Sequence, residues 1–158
     1  MDIFAFNPDT DLEFSRTIAA SPATVWRCMT DAELLAQWFC PKPWQVKNAV
    51  IEPRPGGAFH TPMYGPDGEV MDEGAGCILI ADEARVLAFT DAMTPGFHPK
   101  GSAFMTGVYM LEPTEAGTKL TARALHADQA AQKQHEDMGF FGGWGTAIDQ
   151  LGALAETL

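Results

Sequence analysis

The sequence predicts an α+β fold: a curved antiparallel sheet of about seven strands wrapped on a long C-terminal helix, with two short helices after the first strand. Three observations predict it. From Val46 to His126, short apolar-rich runs are separated by turn residues at hairpin spacing, as an antiparallel meander requires. After His126 the apolar residues Met138, Phe141, Ile148, Leu151, Leu154 and Leu158 recur at multiples of three and four, which marks a helix with one apolar stripe. No repeat, linker or low-complexity tract interrupts the 158 residues, so the elements are expected to share one core as a single domain, 1–158.

Residues 1–10 read as a flexible arm. Leu12, Phe14 and Ile18 then alternate with Glu13, Ser15 and Thr17, giving a half-buried strand. Arg16 sits on the apolar parity, which implies a strand end or a paired charge. Ser21-Pro22 starts a helix, with Ser accepting from free N–H groups and Pro pre-setting the first helical residue. Val25, Trp26 and Met29 form its buried side. Thr30-Asp31-Ala32-Glu33 fits a capping box for a second helix, whose apolar face is Leu34, Leu35, Trp38 and Phe39. Pro41 and Pro43 end it.

Strands are expected near 46–52, 58–64, 69–80, 85–92, 103–112 and 118–126, between turns at 53–57, 65–68, 82–84 and 114–117. The stretch 93–102 is too long and too rich in Pro and Gly for a tight turn, and loops of that size are often functional lids. Asp128 is placed to cap the last helix. Four glycines in the run 139–145 each cost about 0.5–1 kcal/mol in a helix interior, so they call for close backbone approach or a break. A twisted sheet curled around one helix leaves a wedge between them, a natural ligand cavity.

Lys and Arg number 10 against 21 Asp and Glu, a formal charge of −11. Such a surface repels phosphate backbones and anionic lipid, so neither nucleic acid nor membrane is expected as a partner. No apolar run approaches the ~20 residues of a membrane span, and the N-terminus lacks signal-peptide character; a cytoplasmic location is the expectation. Three widely spaced cysteines (Cys28, Cys40, Cys77) suit a reducing compartment. There is no CxxC, HExxH, Walker-type or GxSxG motif, so no metal, cofactor or hydrolase nucleophile is expected.

The strings Ala20-Ser21-Pro22-Ala23-Thr24-Val25-Trp26 and Thr30-Asp31-Ala32-Glu33-Leu34, with Trp38-Phe39, resemble the SRPBCC (START-like, helix-grip) superfamily. Within it the likeness is to homologues of the activator of the heat-shock-protein ATPase. Arg54-Pro55-Gly56-Gly57-Ala58-Phe59, Arg85-Val86-Leu87-Ala88-Phe89-Thr90, Gly117-Thr118-Lys119-Leu120-Thr121 and Gly143-Trp144 carry it to the end of the chain. The resemblance implies a helix-grip fold with an apolar cavity. It implies no catalytic residue set, because the fold hosts carriers, cyclases and co-chaperone domains alike.

The candidate cavity lining is Trp38, Phe59, Met63, Met71, Phe89, His98, Phe104, Phe140, Phe141 and Trp144. Large rings and adaptable Met suit an apolar or aromatic small molecule; the same residues could equally pack one another as a filled core. The spacing of His60, His98, His126 and His135 matches no metal motif. His60 has the opposite parity to Phe59 and is expected to face out, leaving His98 for a polar contact at the cavity mouth. Glu69, Asp72 and Glu73 either place a carboxylate in the cavity or form a solvated sheet face. Arg16 and Arg54 could orient an anion, although pairing with neighbouring acids is their commoner use.

The leading functional expectation is non-enzymatic binding of a small hydrophobic ligand. The alternatives are a chaperone-interacting module and a cyclase- or hydrolase-type enzyme using a cavity carboxylate or His. Whether the chain forms a homodimer is open at this level.

Overall fold

The computed structural model describes residues 5–158. β1 (Asp11–Ile18) leads into α1 (Pro22–Thr30) and α2 (Ala32–Leu35). There follow β2 (Gln45–Val46), β3 (Val50–Ile51), β4 (Ala58–His60), β5 (Met63–Tyr64), β6 (Val70–Met71), β7 (Gly76–Asp82) and β8 (Val86–Thr90). Then come β9 (Met93–Thr94), β10 (His98–Pro99), β11 (Thr106–Thr114), β12 (Gly117–Leu125), α3 (Gln129–Asp137) and α4 (Phe140–Ala155).

The main sheet has seven strands in the order β1-β12-β11-β8-β7-β4-β3, with every neighbouring pair antiparallel. α4 lies against it, so the expected helix-on-sheet architecture is the observed one. One core joins α1, the sheet and the second half of α4 through Val25, Met29, Leu87, Leu120, Ile148 and Leu151.

Three expected strands are each cut in two. The runs 46–52, 58–64 and 69–80 give one half to the main sheet (β3, β4, β7) and the other to a separate three-stranded sheet, β2-β5-β6. The breaks fall where a ladder cannot continue. Asn48 and Gly74 adopt positive φ (58° and 84°), and Pro62 has no N–H to donate.

Ser21 caps α1 as expected, its Oγ accepting from Thr24 N at 3.2 Å. The second cap sits one residue later than the capping-box pattern implies. Asp31 Oδ1 accepts from Glu33 N and Leu34 N, while Thr30 still belongs to α1 and donates to Trp26 O at 2.9 Å. A carboxylate reaching two free amides outcompetes a hydroxyl already used by the preceding turn.

The C-terminal helix is likewise two helices. Asp128 caps α3 through Ala131 N at 2.8 Å, and Gly139, at φ 97°, breaks the chain before α4. Gly145 supplies a close approach: a Cβ there would stand 2.9 Å from Arg16 Nη2. Arg16 itself pairs with Asp149 at 3.1 Å, which explains a charge on the apolar parity of β1. Arg54 pairs with Glu52 at 3.1 Å.

The arm expected over 1–10 falls partly outside the described residues (1–4), and its segment 7–10 makes hydrogen bonds to the rest of the fold. Asn7 O accepts from Asp11 N at 2.8 Å, and Gln132 Nε2 donates to Pro8 O at 2.8 Å. The stretch 93–102 is no lid over the cavity. β9 and β10 pair as a small hairpin, which Gly96 N fastens to Gly56 O at 2.8 Å. All three cysteines are free thiols and buried. Among the described residues, no helix is long and apolar enough to cross a membrane.

Candidate functional site

A cavity of about 550 Å³ lies between the main sheet, the small sheet and the first half of α4. Its walls follow from three local rules. On β11, Gly107, Tyr109 and Leu111 share one strand face, so Tyr109 projects toward α4. On α4, Phe140, Gly143, Trp144 and Ala147 recur at helical spacing and turn the same side to the space. On the small sheet, Met63 and Met71 are direct cross-strand partners and close the far side with adaptable side chains.

The aromatic residues of this wall form an unbroken chain of ring contacts. Phe39 meets Phe59 at 5.7 Å, Phe59 stacks on Phe89 at 4.1 Å and 12°, and Phe89 meets Tyr109 at 5.6 Å. Tyr109 meets Trp144 at 6.0 Å, Trp144 meets Phe140 at 4.8 Å, Phe140 meets His135 at 5.1 Å, and His135 meets Phe104 at 4.6 Å. Each of these rings lines the cavity. Gly107 makes one of the contacts possible, since the Phe89 ring lies where its Cβ would otherwise be, only 2.5 Å away.

The sequence-predicted residues Phe59, Met63, Met71, Phe89, Phe104, Phe140 and Trp144 are brought together here. Trp38, Phe141 and His98 are not. Trp38 stands behind the wall, its Nε1 donating to Cys28 O at 2.8 Å and its ring edge against Phe39 and Tyr109. Phe141 follows Phe140 by one helical step, about 100° around the axis, and is 47% exposed. His98 lies in the small hairpin, exposed and away from the mouth.

Sequence reasoning missed other lining groups. Tyr109 was visible in the parity of β11. His135 was visible as the backward continuation of the stripe through Met138, three residues earlier. Cys40, Thr90, Asp91 and Gln134 carry no pattern of their own and reach the cavity through tertiary placement alone.

The polar groups are few and mostly engaged. His60 keeps the outward parity expected of it, opposite the exposed Val50, and reaches the cavity only at its rim; its Nε2 lies 2.8 Å from Asp72 Oδ1. That hydrogen bond, helped by the Gly74 amide, holds Asp72 below the usual carboxylate range. Asp91 Oδ1 accepts from Phe104 N at 2.8 Å and Met105 N at 3.2 Å. Burial pushes the Tyr109 hydroxyl and the Cys40 thiol upward. His126 Nε2 lies 2.9 Å from His135 Nδ1. Burial first, and then the nearby His126, push His135 down to about 4. The ionisable groups of the lining are carboxylates, histidines, Tyr109 and Cys40, with neither Lys nor Arg among them. Among the described residues, no group of three His, Cys, Asp or Glu could hold a metal ion.

Comparison with known proteins places this geometry. The family described as Activator of Hsp90 ATPase homolog 1-like protein matches residues 19–156. The chain is similar to a protein of Nitrosomonas europaea whose crystal structure is 39% identical, covering 96% of this chain and 97% of that one, with a TM-score of 0.92. It is similar to a Mycobacterium smegmatis protein, 29% identical over 92% of this chain and 90% of that one, with a TM-score of 0.76. The AHSA1 protein of Silicibacter pomeroyi, 20% identical over 90% of this chain and 95% of that one, shares the fold at a TM-score of 0.69. No curated protein matches the chain.

Proposed function

The chain belongs to the family of Activator of Hsp90 ATPase homolog 1-like proteins, and from that premise we propose that it binds an apolar or aromatic small molecule, without chemistry, in the cavity between the sheet and α4. The continuous ring wall around about 550 Å³ carries the proposal. Ligand cavities run from about 300 to 1,000 Å³, apolar with a few placed polar groups, and this one has that size and character. The sheet and α4 touch at Tyr109 and Trp144, and beside that contact the space stays open. Here Gly143, on the helix face that lines it, has no atom beyond its own helix backbone within 4 Å of a Cβ position.

The polar groups favour binding over catalysis. Asp72 and Asp91 already hold His60 and backbone amides, and His135 is too weak a base for proton abstraction near neutral pH. The chaperone-interacting reading rests on the family description alone.

A dye-displacement and thermal-shift screen with aromatic and lipid-like compounds tests the proposal. Binding is expected, and it should vanish in Gly143→Trp, which fills the cavity from a position with room for a side chain. No binding by any compound, or binding that survives Gly143→Trp, would overturn it. Stimulation of a heat-shock ATPase by a stoichiometric excess of the protein would favour the chaperone reading instead.

A further inference from the structure

Given a small-molecule cavity at this place, the histidine pair in its wall fixes one more property of the occupant. His126 Nδ1 lies 2.7 Å from Thr10 O. A carbonyl oxygen only accepts, so this nitrogen carries a proton. In the uncharged pair, His126 Nε2 is then bare, and the 2.9 Å contact requires His135 Nδ1 to donate. A neutral imidazole has one proton, so His135 Nε2 is left as a lone pair. Charging both rings at this distance would set like charges side by side.

That lone pair opens on the cavity. His135 is only 6% exposed and lines the space. No described group bonds its Nε2, yet among the described residues no fully enclosed side-chain nitrogen or oxygen is without a partner. The nitrogen therefore meets whatever fills the cavity. Around it stand Phe104, Phe140 and Trp144, with ring centroids at 4.6, 5.1 and 5.8 Å. An acceptor set in such surroundings gains most from a donor that the occupant brings. The Tyr109 hydroxyl, also in the wall, can donate or accept and does not discriminate. Asp72, Glu73 and Asp91, with no lining cation, disfavour an anion.

We infer that the cavity selects an uncharged aromatic molecule carrying an O–H or N–H group, which donates its proton to His135 Nε2. The inference rests on the cavity reading above, and its test separates the two. At pH about 8, where ordinary histidines and phenols are uncharged, affinities are measured by calorimetry for 2-naphthol, 2-methoxynaphthalene and 2-naphthoate. The naphthol is expected to bind roughly three- to tenfold tighter than the ether, as one hydrogen bond allows, and the carboxylate weakest.

In His135→Phe, which keeps a ring but has no acceptor, the naphthol-to-ether preference should fall to about one while ether binding persists. If both naphthalenes bind and Gly143→Trp abolishes both, but His135→Phe leaves the preference intact, the cavity stands and the donor assignment falls. If neither binds the unmodified protein, both readings fall. Nitrogen-15 spectra of the unmodified protein give a readout free of any variant's folding. The Nδ1–H tautomer is expected for His135, with its Nε2 resonance shifting on naphthol addition; an Nε2–H tautomer overturns the inference.

Discussion

In the second half of α4, Ile148, Leu151 and Ala155 are buried against α1 and the sheet, and Gln150 Nε2 clamps the helix to Trp38 O and Cys40 O at 3.0 and 2.9 Å. In the first half, Phe140 packs on Leu12 and Ala124 and Trp144 meets Tyr109, while Gly143 beside them lines open space. Helical spacing is the same in both halves. What differs is residue size: the first half offers large rings interleaved with glycine rather than branched aliphatics. A helix stripe can seal one end of a sheet and leave the other habitable by residue size alone. One half should therefore register in stability and the other in binding.

The largest expected effect is in the sealed half. Leu151 is fully buried, so Leu151→Ala should lower unfolding free energy by about 2–5 kcal/mol in urea titration, with ligand affinity unchanged in the fraction that remains folded. A loss below ~1 kcal/mol would mean that this end also tolerates space and would break the comparison.

Next is Gly107→Ala, on the sheet beneath the open half. The new Cβ would displace the Phe89 ring from 2.5 Å and unstack it from Phe59. Overpacking of this kind costs about 1–3 kcal/mol. Because the ring lines the cavity, weaker ligand binding should accompany the lost stability. A change in stability with no change in binding would place Phe89 outside the functional wall.

A smaller effect depends on pH. Folding lowers His135 from 6.5 to about 4, so on acidification the unfolded chain takes up the proton first. Stability from this group is therefore present above pH about 6.5 and falls as pH drops toward about 4, levelling off below. The loss should be of order 1–2 kcal/mol once water in the cavity is allowed for. Urea midpoints for the native protein and His135→Phe should converge across that window; parallel curves would refute the buried, neutral imidazole.

The contrast between the halves also explains what could be read without coordinates. Alternation and helical spacing report which face is buried, so the seven-strand sheet, the Ser21 and Asp128 caps, and Phe59, Phe89, Phe140 and Trp144 were legible. Parity cannot say whether an inward ring touches the cavity or stands behind it, which is why Trp38 was misplaced. It also fails where a strand stops. Three expected strands split at Asn48, Pro62 and Gly74. The His126–His135 pair joins a strand end to a helix nine residues on, a contact that only the tertiary path of the chain creates.

The smallest effect separates packing from emptiness most directly. Gly142 and Gly143 both lie in α4 with no atom beyond their own helix backbone within 4 Å of a Cβ position, but Gly143 lines the cavity and Gly142 does not. Each change to Ala should stabilise the fold by about 0.5–1 kcal/mol, by removing backbone freedom from the unfolded chain. A methyl is too small to fill the space, so neither should abolish binding, whereas Gly143→Trp should abolish it and Gly142→Trp, pointing to solvent, should not. Matched melting curves and ligand titrations of the four variants read both quantities. Equal loss of binding from both Trp variants would mean that the first half of α4 responds as a unit. The cavity would then be a property of helix placement, and no longer of the side on which a glycine leaves room.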